Sequence, residues 1–229
     1  MLVDLQNRVI LVTGGTGSLG HGVLAELRAA NATVISTAHR PTQPPFEGIE
    51  IEVADLRDPN EAVPLVERII ARHERIDGLV CLVGGFTGGT FIQTDHQTWR
   101  EMVELNLNTA VIAARAVLPG MTERSYGRIV TVGSRPAIDP TPNTAAYAAA
   151  KAAVVAMTRS LGRELRGTGV TANCILPSTI DTPQNRESMP RADPSRWVTP
   201  AEIGRVVTFL CSEAAGVIRG AAIPVYGDA

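Results

Sequence analysis

The chain has 229 residues, of which 45% are hydrophobic and 19% are charged. This length and apolar fraction suit one domain with a substantial core over residues 1–229, and they exclude a disordered chain. The 21 Lys and Arg residues nearly balance the 23 Asp and Glu residues without any block of like charges, so neither a nucleic-acid nor a membrane surface is expected.

Apolar, strand-like runs alternate with helix-like segments along the chain. Strands are expected at residues 8–13, 33–37, 49–53, 79–83, 128–132, 170–176 and 221–225. Helices are expected at about 19–30, from 58 onward, at about 98–118 and 143–166, and from 199 onward. Asp58 is the predicted cap of the second of these helices, and Thr199 and Glu202 form a predicted capping box at the start of the last one. Continuous apolar strands separated by helices are typical of a parallel sheet covered on both faces. We therefore predict an α/β fold, a Rossmann-like doubly wound parallel sheet of about seven strands whose ligands lie at the carboxyl ends of the strands.

A glycine-rich turn ends the first predicted strand and leads directly into a helix. Its residues are Thr13, Gly14, Gly15, Thr16, Gly17, Ser18, Leu19 and Gly20. Glycines there permit a tight turn and let the backbone approach a pyrophosphate, which then lies at the helix N-terminus. The position between a strand and a helix favours nucleotide binding over a purely structural turn. A P-loop is excluded, because its lysine has no counterpart here.

The ends of the second and third strands bear on which nucleotide binds. An acidic residue after the second strand would accept hydrogen bonds from a ribose diol, but this chain has Ala38, His39 and Arg40 there. The basic pair suits a 2′-phosphate, so NADP is predicted, with NAD as the alternative; an arginine after a strand can also be merely solvated. Asp55, followed by Leu56, is a candidate for binding the adenine amino group or for capping a turn.

Tyr147 and Lys151 form the most specific pattern in the chain. Their spacing of four places both side chains on one helix face, and Lys151 is the one lysine among the 21 basic residues. An ammonium beside a phenol lowers the pKa of the phenol, so Tyr147 would serve as a general acid or base. Ser134 ends the preceding strand and can face the same cleft. Tyr147 alone could be a half-buried aromatic residue, and Lys151 alone could be a solvated charge. These explanations do not account for the two residues together with Ser134 and the glycine-rich turn.

With these motifs, the sequence resembles the short-chain dehydrogenase/reductase family over nearly its whole length. Asn106 stands where that family has an asparagine on the long central helix. The resemblance implies that Tyr147 transfers the proton, Ser134 polarises a substrate carbonyl, and Asn106 helps to order a proton-relay water. Lys151 would hold the nicotinamide ribose and lower the pKa of Tyr147, while the cofactor supplies the hydride. The family also implies a homodimer or homotetramer.

Further cofactor contacts follow from the same resemblance, because residues 177–182 are similar to the segment that clasps the nicotinamide carboxamide. The implied cofactor-binding residues are Gly14, Thr16, Gly17, Ser18, Leu19, Gly20, His39, Arg40, Asp55, Leu56, Gly84, Tyr147, Lys151, Pro177, Ile180 and Thr182. The segment of about 177–198 is expected to cover a small-molecule substrate, with Met189 and Trp197 offering apolar surface and Asn185 and Arg186 offering donors.

The chain departs from the family after the fourth strand, where Cys81, Leu82, Val83 and Gly84 stand in place of the usual Asn-Asn-Ala-Gly. This loop, with residues 176–190 and Trp197, resembles the quinonoid dihydropteridine reductase branch. That branch, however, prefers NADH and lacks the catalytic serine. Because Ser134 is present, a small carbonyl or alcohol substrate is favoured over a quinonoid dihydropterin. A non-catalytic NADP-sensing regulator is a further alternative, although a sensor does not need a proton donor.

Other function classes find little support in the residues. The three cysteines lie in apolar segments, where they are expected as small core residues and not as disulfides. The four histidines have no ligand spacing, so no metal site is expected. The chain starts with a strand-like run where a secretory leader would have a basic and then an apolar region, so a cytoplasmic location is expected.

Overall fold

The computed structural model describes residues 3–228. Within that range, seven parallel strands form one sheet in the order β3-β2-β1-β4-β5-β6-β7. The strands are β1 (Val9–Thr13), β2 (Thr33–Ala38), β3 (Ile49–Val53), β4 (Gly78–Cys81), β5 (Gly127–Val132), β6 (Val170–Pro177) and β7 (Ala222–Val225). Each lies within two residues of its predicted bounds. The predicted parallel, doubly wound α/β sheet is confirmed.

Helices cover both faces of this sheet. They are α1 (Ser18–Ala29), α2 (Pro59–His73), α3 (His96–Val103), α4 (Thr109–Glu123), α5 (Ala145–Glu164), α6 (Pro183–Ser188) and α7 (Pro200–Leu210). Buried residues of α1 and α7 pack with strand residues in one apolar cluster, whereas those of α2 and α4 pack in another. These two clusters are the layers that a doubly wound sheet buries on its opposite faces.

The helix starts follow the predicted capping signals. The side chain of Asp58 accepts a hydrogen bond from the backbone N–H of Asn60 at the start of α2. Thr199 and Glu202 form the predicted capping box at the start of α7. Both caps satisfy N–H groups that a helix start leaves without partners.

The predicted central helix of about residues 98–118 is interrupted. α3 and α4 are joined by a π-helical turn, Glu104–Asn108, so the helical path runs from His96 to Glu123 with a wider turn in the middle. π-helical turns inside α-helices are often found at functional sites. Here the wider turn contains Asn106.

The strand order reverses beside β1, which has β2 on one side and β4 on the other. Crevices at such a point open at the carboxyl ends of the strands. Gly14, just after β1, has a φ of +70°, and a Cβ atom there would lie 2.9 Å from a Val83 side-chain carbon. The conformation and the space therefore both favour glycine at this turn.

No helix within residues 3–228 is long and apolar enough to span a bilayer.

Candidate active site

A groove of about 590 Å³ lies at the carboxyl ends of β1 to β4. The predicted cofactor-binding residues that line it are Gly14, Thr16, Gly17, Ser18, Leu19, Gly20, His39, Asp55, Leu56, Gly84, Ile180 and Thr182. The sequence had placed these residues in one site from five separate segments. The structure brings them together along a single groove.

The start of α1 fits the pyrophosphate of a dinucleotide. Its N-cap residue is Gly17, in extended conformation, which has no side chain to accept hydrogen bonds from the first N–H groups of the helix. Those donors and the positive end of the helix dipole therefore remain for an anion. A Cβ atom at Gly20 would lie 2.0 Å from the carbonyl oxygen of Gly15, so the turn and the helix start are closely packed.

Of the predicted pair His39 and Arg40, His39 borders this groove and Arg40 does not. The chain bends at these two residues. Arg57, which the sequence analysis missed, lines the groove instead. It lies between β3 and α2, and no strand-end pattern marks such a loop position.

Arg57 forms a bidentate pair with Asp55. Its Nε and Nη2 atoms lie 3.0 Å and 2.6 Å from the two carboxylate oxygens. This pairing lowers the pKa of Asp55 to about 2, so the carboxylate is charged at neutral pH. This part of the groove thus has one fixed carboxylate, the guanidinium that holds it, and His39.

A second, smaller cavity of about 200 Å³ adjoins the groove, sharing Leu19, Leu82, Gly84 and Ile180 with it. Its lining includes all four predicted catalytic residues, Asn106, Ser134, Tyr147 and Lys151, together with the predicted cofactor contact Pro177. The π-helical turn, the end of β5 and the first turns of α5 bring these side chains to one cavity. We refer to it as the catalytic cavity.

Ser134 and Tyr147 line the same cavity, and the Ser134 hydroxyl is near enough to the phenol to lower its pKa. Burial raises the pKa of Tyr147 above its usual value, and the weaker opposing effect of Ser134 does not reverse this. The sequence analysis predicted a lowered pKa through Lys151, and that direction is wrong for this structure. The tyrosine ring is largely shielded from solvent, and the cost of charging a phenol there exceeds the stabilisation that its neighbours provide.

Lys151 is buried, and its ammonium donates to the carbonyl oxygen of Val132 over 2.9 Å. The Nζ atom lies 5.9 Å from the centre of the Tyr147 ring. Burial lowers the pKa of Lys151 to about 8, while the nearby thiols of Cys174 and Cys81 oppose this weakly. The side chain is therefore held at the wall of the catalytic cavity with a charge that is easily lost above neutral pH.

Asn106 is fully engaged with the backbone of its surroundings. Its amide nitrogen donates to the carbonyl oxygens of Gly85 and Met102, each over 3.0 Å, and its amide oxygen accepts from the N–H of Gly85 over 3.2 Å. These bonds fix the loop after β4, where the family's asparagines are missing.

The segment of about 177–198 divides between the two cavities. Ile180, Thr182, Gln184 and Asn185 line the groove, and Pro177, Ser178 and Ile180 line the catalytic cavity. Within the segment, residues after Asn185 border neither the groove nor the catalytic cavity.

Two residues of this segment that were predicted to contact the substrate, Arg186 and Trp197, instead contact other parts of the protein. Trp197 is 8% exposed, so its ring is buried and cannot offer apolar surface to a substrate. Arg186 forms a bidentate pair with Asp181, with N–O distances of 2.5 Å and 2.8 Å. Asn185 lines the groove, but its amide nitrogen donates to the carbonyl oxygen of Ile180. The polar side chains of the segment mainly stabilise its own conformation.

The family model of the short chain dehydrogenases matches residues 8–193. The chain belongs to this family. Its relatives include the 3-oxoacyl-[acyl-carrier-protein] reductase MabA of Mycobacterium avium, which is 34% identical over 96% of this chain and 89% of the relative. The 3-oxoacyl-[acyl-carrier-protein] reductase FabG of Pseudomonas aeruginosa is 32% identical over 98% of each chain. A solved short-chain type dehydrogenase/reductase from Mycobacterium ulcerans superimposes with a TM-score of 0.91 at 27% identity, over 99% of this chain and 90% of the other.

This short-chain dehydrogenase is therefore an NAD(P)-dependent oxidoreductase that transfers a hydride between a nicotinamide cofactor and a small carbonyl or alcohol. The resemblance to dihydropteridine reductases remains partial. It is limited to the loop after β4 and to parts of the segment that follows β6.

Proposed function

We propose that this short-chain dehydrogenase reduces the keto group of a 3-oxoacyl thioester, with NADPH as the preferred cofactor. The observation that carries the proposal is that the hydroxyl-bearing side chains of Ser134 and Tyr147 both line the catalytic cavity, near enough for Ser134 to lower the pKa of Tyr147. A ketone oxygen beside both hydroxyls would accept two hydrogen bonds as negative charge develops on it. The names of MabA and FabG, which match almost the whole chain, support the substrate class.

The roles of the four catalytic-cavity residues follow from this placement. The nicotinamide cofactor, when bound, supplies the hydride. Tyr147 donates its hydroxyl proton to the carbonyl oxygen, and Ser134 stabilises the charge on that oxygen. Lys151 places an ammonium near the phenolate that remains, and Asn106 holds the loop at Gly85 in position. Because burial raises the pKa of Tyr147, the phenol keeps its proton at neutral pH, which suits reduction.

The groove provides the cofactor site in the same proposal. The glycine-rich turn and the start of α1 would hold the pyrophosphate, and Ile180 and Thr182 would contact the nicotinamide end. Residues 177–198 would cover the substrate, within one NAD(P)-binding domain. A homodimer or homotetramer and a cytoplasmic location complete the proposal, and light scattering of the purified protein would give the oligomeric mass.

The proposed reaction can be tested directly with acetoacetyl-CoA and NADPH. Oxidation of NADPH together with formation of 3-hydroxybutyryl-CoA, identified by chromatography, is the expected result. A simple ketone and a quinonoid dihydropterin, each assayed with NADPH and with NADH, provide the comparison. Efficient turnover of the dihydropterin without any reduction of the keto group of acetoacetyl-CoA would refute the proposal and favour the pteridine reductase alternative.

The preference for NADPH should depend on Arg57 and not on Arg40. Arg57→Ala removes a cation that lines the groove, and a charge-assisted hydrogen bond to a phosphate is typically worth enough to lower the kcat/KM for NADPH roughly tenfold relative to NADH. Arg40→Ala is the matched control, because Arg40 does not border the groove. An acid installed by Ala38→Asp should shift preference further toward NADH. Equal effects of the two arginine variants, or a wild-type preference for NADH, would contradict this prediction.

The rate of reduction should fall as Lys151 loses its charge. Burial lowers the pKa of Lys151 to about 8, so the ammonium is present below that pH and is lost above it. We expect kcat/KM for reduction to be level below pH 8 and to decrease above it. In Lys151→Arg the guanidinium remains charged, so the lower absolute rate should show no such break. The same break near pH 8 in Lys151→Arg would assign it to another group.

A further inference from the structure

Phe86 separates the catalytic cavity from another cavity of about 320 Å³, which we call the side cavity. The side cavity is lined by Arg57, Gly85, Phe86, Thr87, Glu101, Met102, Glu104 and Leu105. Gly85 and Phe86 border both cavities. Gly85 and the side chain of Phe86 therefore lie at the boundary between the two cavities.

The ring of Phe86 lies directly against the proposed proton donor. It meets the Tyr147 ring edge-on, with ring centres 5.1 Å apart and an interplanar angle of 81°. On another side it approaches Gly88, where a Cβ atom would lie 3.1 Å from the Phe86 Cζ atom. The side chain is nevertheless 62% exposed, so the protein holds it by two contacts and does not enclose it.

The loop that bears Phe86 is fixed on both sides of it. Asn106 binds both backbone groups of Gly85, and the N–H of Gly89 donates to the carbonyl oxygen of Asn143 over 2.9 Å. Three residues lie between these two anchors: Phe86, Thr87 and Gly88. The Phe86 ring can thus change rotamer while the backbone at both anchors stays in place.

The sizes and linings of the two cavities indicate how much of a substrate chain each could hold. Ligand sites typically enclose roughly 300–1,000 Å³, and the catalytic cavity alone is smaller than that. The side cavity is lined by buried Met102 and half-buried Leu105, and also by the charged residues Arg57, Glu101 and Glu104. An apolar chain of moderate length could pass the ring and contact Met102 and Leu105.

We propose that Phe86 determines the length of the acyl chain that the enzyme accepts. In the position described, its ring closes the catalytic cavity behind a short chain. A longer chain is accepted to the extent that the ring moves and opens the side cavity. This inference rests on the proposed function, since it takes the reduced group to be the ketone of an acyl chain.

The test compares chain lengths in Phe86 variants. Wild type, Phe86→Leu and Phe86→Ala are assayed with NADPH and 3-oxoacyl-CoA substrates of four, eight and twelve carbons. Each methylene that gains apolar contact should raise kcat/KM about fourfold. We therefore expect Phe86→Ala to raise the ratio of kcat/KM for eight over four carbons at least tenfold, with Phe86→Leu between it and the wild type.

Phe91→Ala is the matched control. Phe91 is 71% exposed and contacts the Trp99 ring edge-on, and it borders neither the catalytic nor the side cavity. Its loss should leave the chain-length ratio unchanged. An unchanged ratio in Phe86→Ala, or an equal loss at all chain lengths, would overturn the proposal and leave Phe86 as a support for the Tyr147 ring.

A parallel series of aliphatic ketones of the same lengths separates this inference from the proposed function. If the wild type reduces simple ketones but no 3-oxoacyl-CoA, the proposed function fails while the ketone series still tests Phe86. If 3-oxoacyl-CoA substrates are reduced but Phe86→Ala leaves the chain-length ratio unchanged, only the inference about Phe86 is wrong. If the wild type reduces no member of either series, both proposals are wrong.

Discussion

Replacing Tyr147 with Phe should lower kcat by at least ~10²-fold, the low end of what general acid catalysis typically contributes. The substitution removes one hydroxyl group and keeps the ring, so the edge-on contact with Phe86 and the packing of α5 should persist. What is lost is the proton donor next to Ser134 in the catalytic cavity. Steady-state rates with the best carbonyl substrate measure the effect, and the affinity for NADPH should change little.

Tyr126→Phe is a suitable control for this variant. The Tyr126 hydroxyl is buried and has no hydrogen-bond partner among the residues that the structure describes. Removing an unsatisfied buried hydroxyl should leave activity unchanged and should not lower the melting temperature. Near-normal turnover by Tyr147→Phe, with the same cofactor affinity as the wild type, would show that another group donates the proton.

The elements of the fold could be predicted because their signals are local. Apolar strand runs, the Asp58 cap and the box of Thr199 and Glu202 each appear within a few residues, and the structure has all of them. The glycine-rich turn was equally clear, since the sequence also places it between a strand and a helix. Local patterns of this kind do not depend on distant parts of the chain.

Other features of the candidate site arise only when distant segments meet. The π-helical turn lies within an apolar pattern that an ordinary α-helix would also produce. The sequence therefore predicted one uninterrupted helix. Arg57 pairs locally with Asp55, but the groove that it lines forms only where the loop after β3 meets the segments that follow β1, β2 and β4. Burial raises the pKa of Tyr147, whereas the spacing to Lys151 had suggested that a nearby charge would lower it.

Replacing Ser134 with Ala should lower kcat for a ketone substrate by on the order of 10²–10³, as expected when a donor to a developing oxyanion is removed. Ser134 is almost fully buried, and it lines the catalytic cavity beside Tyr147, the proposed proton donor. A quinonoid ring would spread the incoming charge over several heteroatoms, so the same variant should affect such a substrate much less. Parallel rates with a ketone and with a quinonoid dihydropterin measure the difference.

Two further measurements separate this role from a merely structural one. Ser178→Ala removes another hydroxyl from the same cavity, but that hydroxyl donates to the carbonyl oxygen of Tyr226 over 2.6 Å and is not available to a substrate. Ser178→Ala should therefore retain most of the activity. Ser134 lowers the pKa of Tyr147, so Ser134→Ala should shift the titration of Tyr147 to higher pH. A small loss of rate on the ketone, without that shift, would show that Ser134 does not stabilise the reacting oxygen.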